Sequence, residues 1–261
     1  MKKSQKIIMI IAIVLVVAVI AGLIYGYIRK ATNKVQNPIA TIEVEGFGTM
    51  KIELYPDQAP NTVANFIALA NNGFYNGTTF HRIISDFMIQ GGDKNGDGTG
   101  MPTLADIGAG GEDTYTIKGE FVANNDYQNT IRHERGVISM ARSDYSQLGL
   151  YEEGYNSAGS QFFIMTEDNS QLNGQYAAFG KMIEGYDVLD KIAAVEVTAE
   201  EEGDEESTPV NPPVITKIEV DTFGVDYGLP ETQEPFDYQS WFMQNYGIDL
   251  NAMGGSTTTE E

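Results

Sequence analysis

The stretch that decides the fold is Phe80 to Gly98, which reads FHRIISDFMIQGGDKNGDG. Its first half, residues 82–89, is an apolar run interrupted by a polar pair, which is typical of a strand followed by a turn. Side chains two apart on a strand share a face, so Arg82 is expected on a surface with three later residues. These are Phe87, Met88 and Gln90. From this segment alone, a surface arginine beside a core strand is the favoured interpretation.

The second half of the stretch is similar to the opening of a calcium-binding loop. Residues 93–98 match the pattern D-x-N-x-D-G, but the twelfth position, where such a loop requires a bidentate glutamate, is Leu104. No helix pattern precedes the loop, since Gln90 is followed by two glycines. Glycine and asparagine at these positions therefore predict turns and no metal site.

Charge and composition narrow the remaining chemistry. The chain of 261 residues has 37 acidic and 16 basic residues, and its net charge of −21 makes nucleic acid a poor partner. It has no cysteine and only two histidines, His81 and His133, which excludes disulfides, cysteine nucleophiles and multi-histidine metal sites. We expect no metal and no cofactor.

The N-terminus carries a membrane-spanning pattern. An uncharged run covers residues 7–28, and at about 1.5 Å per residue it is long enough to cross a bilayer. We predict that residues 1–28 form a transmembrane anchor, with a cleaved signal peptide as the alternative, and that residues 29–37 are a polar linker. The protein is then a single-pass protein of the cell membrane, with its acidic body outside the cytoplasm.

The body, residues 38–224, combines short strand patterns with two helical ones. Residues 41–45 and 50–54 alternate apolar and polar side chains around a glycine-containing turn, which predicts a β-hairpin. Helices are predicted from Pro60 to a stop at Gly73 and over residues 186–194. Many short strands with two helices favour a mainly β domain that antiparallel pairing closes into a barrel.

The tail, residues 225–261, contains no lysine or arginine but several aromatic residues. Pro235 and Gly247 are placed to begin and end a short helix with one aromatic face. We expect this face to dock on the domain's own surface, with binding of a partner protein as the alternative.

Four segments of the body, in the same order along the chain, resemble the motifs of the cyclophilin-type peptidyl-prolyl cis-trans isomerases. They are FHRIISDFMIQGGD at 80–93, GVISMA at 136–141, GSQFFI at 159–164 and LNGQYAAFG at 172–180. The resemblance implies an eight-stranded antiparallel β-barrel capped by two α-helices. It also implies the family's activity on proline-containing polypeptides, here isomerisation of Xaa-Pro bonds in exported or folding proteins.

By position in these motifs, the resemblance implies a catalytic pair and a binding groove. Arg82 matches the arginine that hydrogen-bonds the prolyl nitrogen, and Gln90 matches the residue that orients the substrate carbonyl and this arginine. The matches to the apolar proline pocket are Phe87, Met88, Phe163 and Leu172. The matches to the rest of the groove are Ala141, Arg142, Gln161, Gln171 and Tyr176. No covalent bond is broken, so the resemblance implies no nucleophile, metal or cofactor.

The sequence departs from the family pattern at the groove. Gln171 stands where the family often has tryptophan, which implies weakened cyclosporin binding. Arg142 replaces a frequent asparagine, Tyr176 replaces a histidine found in many members, and the loop at 142–158 is longer than usual. The alternative function is a membrane-tethered chaperone or scaffold module that binds proline-containing peptides with little turnover.

Overall fold

The structure, a computed structural model, describes residues 5, 9, 13, 15–23, 36–199 and 206–247. Two compact units divide the chain, Met1–Gln36 and Asn37–Glu261. In the first unit residues 15–23 are helical, whereas most of the remaining predicted span at 7–28 and most of the 29–37 linker lie outside the described residues. Within the described part of the chain, no helix is long and apolar enough to cross a membrane.

The second unit consists of short strands and helices. The strands are β1 (Ile39–Val44), β2 (Gly48–Leu54), β3 (Thr79–Ile84), β4 (Met88–Asp93), β5 (Val137–Met140), β6 (Phe162–Met165), β7 (Ala178–Glu184), β8 (Val197–Thr198), β9 (Thr208–Pro209) and β10 (Ile215–Asp221). The α-helices are α1 (Pro60–Asn71), α2 (Tyr151–Tyr155), α3 (Tyr186–Ala193) and α4 (Tyr238–Tyr246). Short 3-10 helices lie at Val122–Asn124, Ser146–Leu148 and Ser170–Leu172.

Eight strands form one antiparallel sheet in the order β10-β1-β2-β7-β5-β6-β4-β3, and β8 pairs with β9. The mainly β prediction is confirmed. The predicted hairpin is confirmed as well, because β1 and β2 pair in register from Ile39 opposite Glu53 to Val44 opposite Gly48. The turn places Gly46 at a φ of 73°, a conformation that glycine adopts without steric cost.

The prediction that the eight-stranded sheet closes into a barrel is wrong. The outer strands β3 and β10 share no continuous ladder, and the sheet is a curled half-barrel. Its two edges meet only locally, at a bridge between Thr79 and Val214 and at a hydrogen bond of 2.9 Å from the Phe80 N–H to the Pro213 carbonyl. Two prolines, Pro212 and Pro213, precede β10 and have no N–H to donate, so a ladder cannot continue through them.

Helix α1 covers the buried side of the sheet. Its Phe66 ring contacts a cluster of buried aromatic rings at centroid distances of 5.2–5.7 Å. These rings are Tyr75, Phe162 and Phe179. The predicted start at Pro60 is confirmed, and the helix ends at Asn71, shortly before the predicted stop at Gly73.

A distant carboxylate, rather than a local side chain, caps the N-terminus of α1. Ala59 occupies the cap position and offers no side-chain hydrogen bond. Glu120 accepts from the Asn61 N–H at 2.9 Å, from the Thr62 N–H at 2.7 Å and from the Thr62 hydroxyl at 2.6 Å. An anion is favoured there because the helix dipole is positive at this end. Burial nevertheless raises the pKa of Glu120, since desolvation outweighs these hydrogen bonds.

The second predicted capping helix is confirmed as α3, which buries Val188, Leu189 and Ile192. The short tail helix also forms, as α4, with Asp237 as its N-cap and Gly247 in a left-handed conformation at its end. Helix α2 was not predicted and lies in the long loop at 142–158.

Candidate active site

Strand register places the predicted catalytic pair in one row across the sheet. Arg82 lies directly opposite Gln90 in the β3–β4 ladder, and Gln90 lies opposite Phe163 in the β4–β6 ladder. Opposite residues of an antiparallel pair project from the same face with Cβ atoms about 5 Å apart. The backbone therefore brings a cation, an amide and an aromatic ring together without help from any loop.

Two glycines make this row possible. A Cβ on Gly91 would lie 2.9 Å from the Thr79 carbonyl oxygen, and one on Gly92 would lie 2.8 Å from the Ser160 carbonyl oxygen. Gly92 also has a φ of 82°, which other residues rarely adopt. A larger side chain at either position would push the neighbouring backbone away and displace Gln90.

The row borders a cavity of about 240 Å³, called the first cavity here. Small-molecule pockets usually measure roughly 300–1,000 Å³, so this cavity is sized for one side chain. Its lining brings together all but two of the predicted site residues: Arg82, Phe87, Met88, Gln90, Ala141, Arg142, Phe163, Leu172 and Tyr176. Arg82 Nη1 lies 3.9 Å from the Met88 sulfur.

The two remaining site residues lie elsewhere. Gln161 lines the neighbouring cavity, and its side chain accepts a hydrogen bond of 2.9 Å from Gln90 Nε2 and donates one of 2.8 Å to the Gly98 carbonyl. Gln171 is exposed, lines neither cavity, and donates its backbone N–H to Asn169 at 3.0 Å.

A buried histidine supports the wall of the first cavity, and the sequence interpretation did not include it. Ser139 lies opposite Phe163 in the β5–β6 ladder, and its Oγ is 2.8 Å from His133 Nε2. The His133 ring stacks on Phe163 with centroids 6.0 Å apart, while Tyr176 meets Phe163 edge to face at 5.5 Å. Burial lowers the pKa of His133 to about 4, so the ring is neutral at pH 7.

The loop that follows the row is a set of turns, as predicted. Asp93 is fully buried, and its carboxylate accepts backbone N–H groups of Asn95 at 3.3 Å, Asp97 at 2.9 Å and Gly98 at 2.7 Å. The aspartate that opened the calcium-like pattern therefore uses its oxygens to hold the loop.

Comparison with known proteins agrees with this geometry. The family described as cyclophilin type peptidyl-prolyl cis-trans isomerase/CLD matches residues 39–220. Peptidyl-prolyl cis-trans isomerase B of Bacillus subtilis is 40% identical over 157 residues, which cover 60% of this chain and 92% of that protein. A peptidyl-prolyl cis-trans isomerase of Acinetobacter baylyi is 36% identical over 204 residues, covering 76% of this chain and 94% of the relative.

A solved structure shows the same fold. The cyclophilin type peptidyl-prolyl cis-trans isomerase of Cryptosporidium parvum, crystallised in the presence of the dipeptide Ala-Pro, superimposes with a TM-score of 0.55 at 29% identity. The match covers 70% of this chain and 98% of the other. Sequence, sheet and cavity thus agree, and the chain belongs to the family of cyclophilin-type peptidyl-prolyl cis-trans isomerases.

Proposed function

We propose that this chain accelerates rotation about Xaa-Pro peptide bonds, with Arg82 as the catalytic hydrogen-bond donor. The observation that carries the proposal is the row of Arg82, Gln90 and Phe163 at a cavity sized for one side chain. The Ala-Pro dipeptide present with the Cryptosporidium parvum relative supports a proline ring as the occupant.

The chemistry requires only differential binding. Amide resonance gives the bond a rotation barrier of about 18–20 kcal/mol, and that resonance is lost in the twisted state. A donor that hydrogen-bonds the prolyl nitrogen localises its lone pair, and so stabilises the twisted state over both planar ones. A rate gain of about 10⁴ needs about 5–6 kcal/mol of such stabilisation.

The apolar lining of the first cavity also stabilises the twisted state. The twisted amide is less polar than the planar one, so a cavity walled by Phe87, Met88 and Phe163 favours it. Gln90 lies beside Arg82 and is itself held by Gln161, which positions an amide to orient the substrate carbonyl.

The direct test is catalysed isomerisation of a peptide with a single proline, followed by exchange NMR or a protease-coupled assay on the full chain. We expect acceleration in proportion to protein concentration. Peptide binding without acceleration would contradict the proposal and favour the alternative, a binding or scaffold module.

The site of action is a separate part of the proposal. We propose that the substrates are exported or folding polypeptides met at the outer face of the cell membrane, and only the apolar run at residues 7–28 supports this. Cell fractionation with external protease tests it. Recovery of the protein in the cytosolic fraction, protected from protease, would contradict it.

A further inference from the structure

A second cavity of about 350 Å³ adjoins the first and shares Gln90, Ala141 and Arg142 with it. Its far wall comes from parts of the chain outside the row of Arg82, Gln90 and Phe163. The loop at 142–158 supplies Ser143 and Tyr145, and the tail supplies Pro235 and Phe236. The tail residues lie beyond the segment that matches the family model, residues 39–220.

The tail is fixed to the domain where it forms this wall. Thr116 and Gln233 exchange two backbone hydrogen bonds of 2.9 and 2.8 Å. Asn61 donates to the Glu231 carbonyl at 3.0 Å and accepts from the Glu231 N–H at 2.7 Å. Tyr145 then stacks on the tail helix at Tyr238, with centroids 5.4 Å apart. The wall is therefore part of the folded domain.

Both cavities exclude acidic residues. The chain carries 37 acidic side chains, yet among the described residues none lines either cavity. The charged lining residues are Arg82 in the first cavity and Arg142 in both. The groove formed by the two cavities is thus a cationic site in a protein of net charge −21.

Arg142 is held in place by neutral groups. Its Nε donates to the Gln175 carbonyl at 3.1 Å and its Nη1 to the Ser143 carbonyl at 2.9 Å. The guanidinium carbon lies 4.6 Å from the centre of the Tyr176 ring and 5.0 Å from that of Tyr155. No carboxylate of a described residue lies within ion-pair distance of it. A guanidinium has five N–H donors, and the two bonds leave others for a ligand.

The acidic neighbour of Arg142 is engaged elsewhere. Asp144 accepts the Ser146 N–H at 2.9 Å. The pKa of Asp144 is lowered first by its hydrogen bonds from Ser146 and only then by the charge of Arg142. Asp144 therefore weakens the positive potential at Arg142 without neutralising it by contact.

We propose that the second cavity is a subsite for an acidic side chain of the substrate near its proline, with Arg142 as the residue that determines this specificity. The proposal rests on the proposed function, because it concerns which Xaa-Pro sequences the same groove accepts. Repulsion of an acidic substrate by the acidic body is screened over about 8 Å at physiological ionic strength. The direct contact with Arg142 therefore determines whether an acidic side chain is preferred. A partly exposed pair of this kind corresponds to about a fivefold preference.

The test uses the full chain and single-proline peptides that carry Glu, Gln or Lys at each position flanking the proline in turn. We expect one position at which kcat/KM for Glu exceeds that for Gln by about fivefold, with Lys below Gln. The ratio should fall to about one in Arg142→Gln and be kept in part in Arg142→Lys. Equal Glu and Gln values at every position, or an unchanged ratio in Arg142→Gln, would overturn the proposal.

The readout is a ratio within each protein, so a general loss of turnover in an Arg142 variant does not affect it. Turnover of the Gln peptides by the unaltered chain tests the proposed function separately. Asp144→Asn provides an independent variant, in which the Glu preference should increase, and no increase would count against the proposal. Arg132→Gln removes an exposed arginine outside both cavities and should leave the ratio as it is.

Discussion

Arg82 owes its position to the sheet, because its partner across β3 and β4 is Gln90 and the next strand adds Phe163. Hydrogen-bonded ladders hold these side chains in fixed spacing before any substrate arrives. A donor held in this way loses little freedom when it binds the twisted amide, which is the condition for strong electrostatic stabilisation. The catalysis proposed for Arg82 would therefore depend on the register of three strands.

Gln171 allows a test of ligand binding at the residue scale. It is exposed in the turn that carries Leu172, a residue of the first cavity. Replacing it by tryptophan would add apolar area at the groove edge, worth about 1.5–2 kcal/mol if half of the ring is covered. We expect Gln171→Trp to tighten inhibition by cyclosporin by about tenfold or more, measured in the isomerase assay. Gln171→Leu is the control for apolarity alone, and equal inhibition of all three proteins would contradict the prediction.

His133 makes stability depend on pH in a defined direction. Its pKa in the folded state is about 4, against an ordinary value of 6.5, so the folded protein favours the neutral ring. The contribution is complete above pH 6.5 and is lost as the pH falls to about 4. Over that window, the free energy of unfolding should fall by about 3 kcal/mol more in the unaltered protein than in His133→Gln.

Urea unfolding at a series of pH values measures this difference. His81, whose pKa burial also lowers, is present in both proteins, so its titration cancels in the comparison. Parallel stability curves for the two proteins would show that His133 does not titrate as described.

At the scale of elements, α1 depends on a residue far away in the chain. Glu120 satisfies two backbone N–H groups and one hydroxyl at the helix start, and it is 7% exposed. Removing a buried acceptor leaves its donors unpaired, at about 1–3 kcal/mol for each group that water cannot reach. We expect Glu120→Ala to lower the free energy of unfolding by about 2–3 kcal/mol.

Chemical denaturation checks this, with Glu120→Gln as the matched variant. Glutamine keeps one acceptor oxygen and should lose less stability than alanine. Glu167→Ala removes an exposed carboxylate and should have little effect. If Glu120→Ala and Glu167→Ala unfold at the same denaturant concentration, the capping role is wrong.

The elements also show what local sequence could predict. The hairpin of β1 and β2 follows from a period of two around a glycine turn, and α1 follows from its apolar period and from Pro60, so both were predicted. Glu120 caps Asn61 and Thr62, which lie 59 and 58 positions earlier in the chain. No local sequence pattern encodes a contact over that separation. The prediction of a closed sheet failed because Pro212 and Pro213 interrupt pairing between β10 and β3. The local sequence does not show that these prolines lie beside β3.

At the scale of the whole molecule, the tail is a structural part of the domain. A chain that ends at Gly228 would lose the paired backbone hydrogen bonds of Gln233 and both bonds of Asn61. At about 0.5–1 kcal/mol each, these four hydrogen bonds sum to about 2–4 kcal/mol. We therefore expect the melting temperature to fall by about 4–16 °C, measured by calorimetry. A chain that ends at Gly247 keeps every described contact and should melt as the full chain does, whereas unchanged melting of the shorter chain would contradict this role.

Most of the first cavity was predictable because its residues fall within ordered motifs, each of which is continuous in sequence. The second cavity was not, because its wall joins Tyr145 of a loop to Phe236 of the tail, and only the folded chain brings them together. Gln171 shows the limit of the motif itself, since its place in the motif did not bring its side chain into either cavity.

The most direct measurement is kcat/KM on one single-proline peptide for the unaltered chain, Arg82→Ala and Arg82→Lys, with Arg132→Ala as the control for loss of an exposed arginine. Removing the donor should lower kcat/KM by about 10²–10³, lysine should recover only part of it, and Arg132→Ala should match the unaltered chain. Equal kcat/KM for the unaltered chain and a folded Arg82→Ala would contradict the claim that Arg82 drives the rotation.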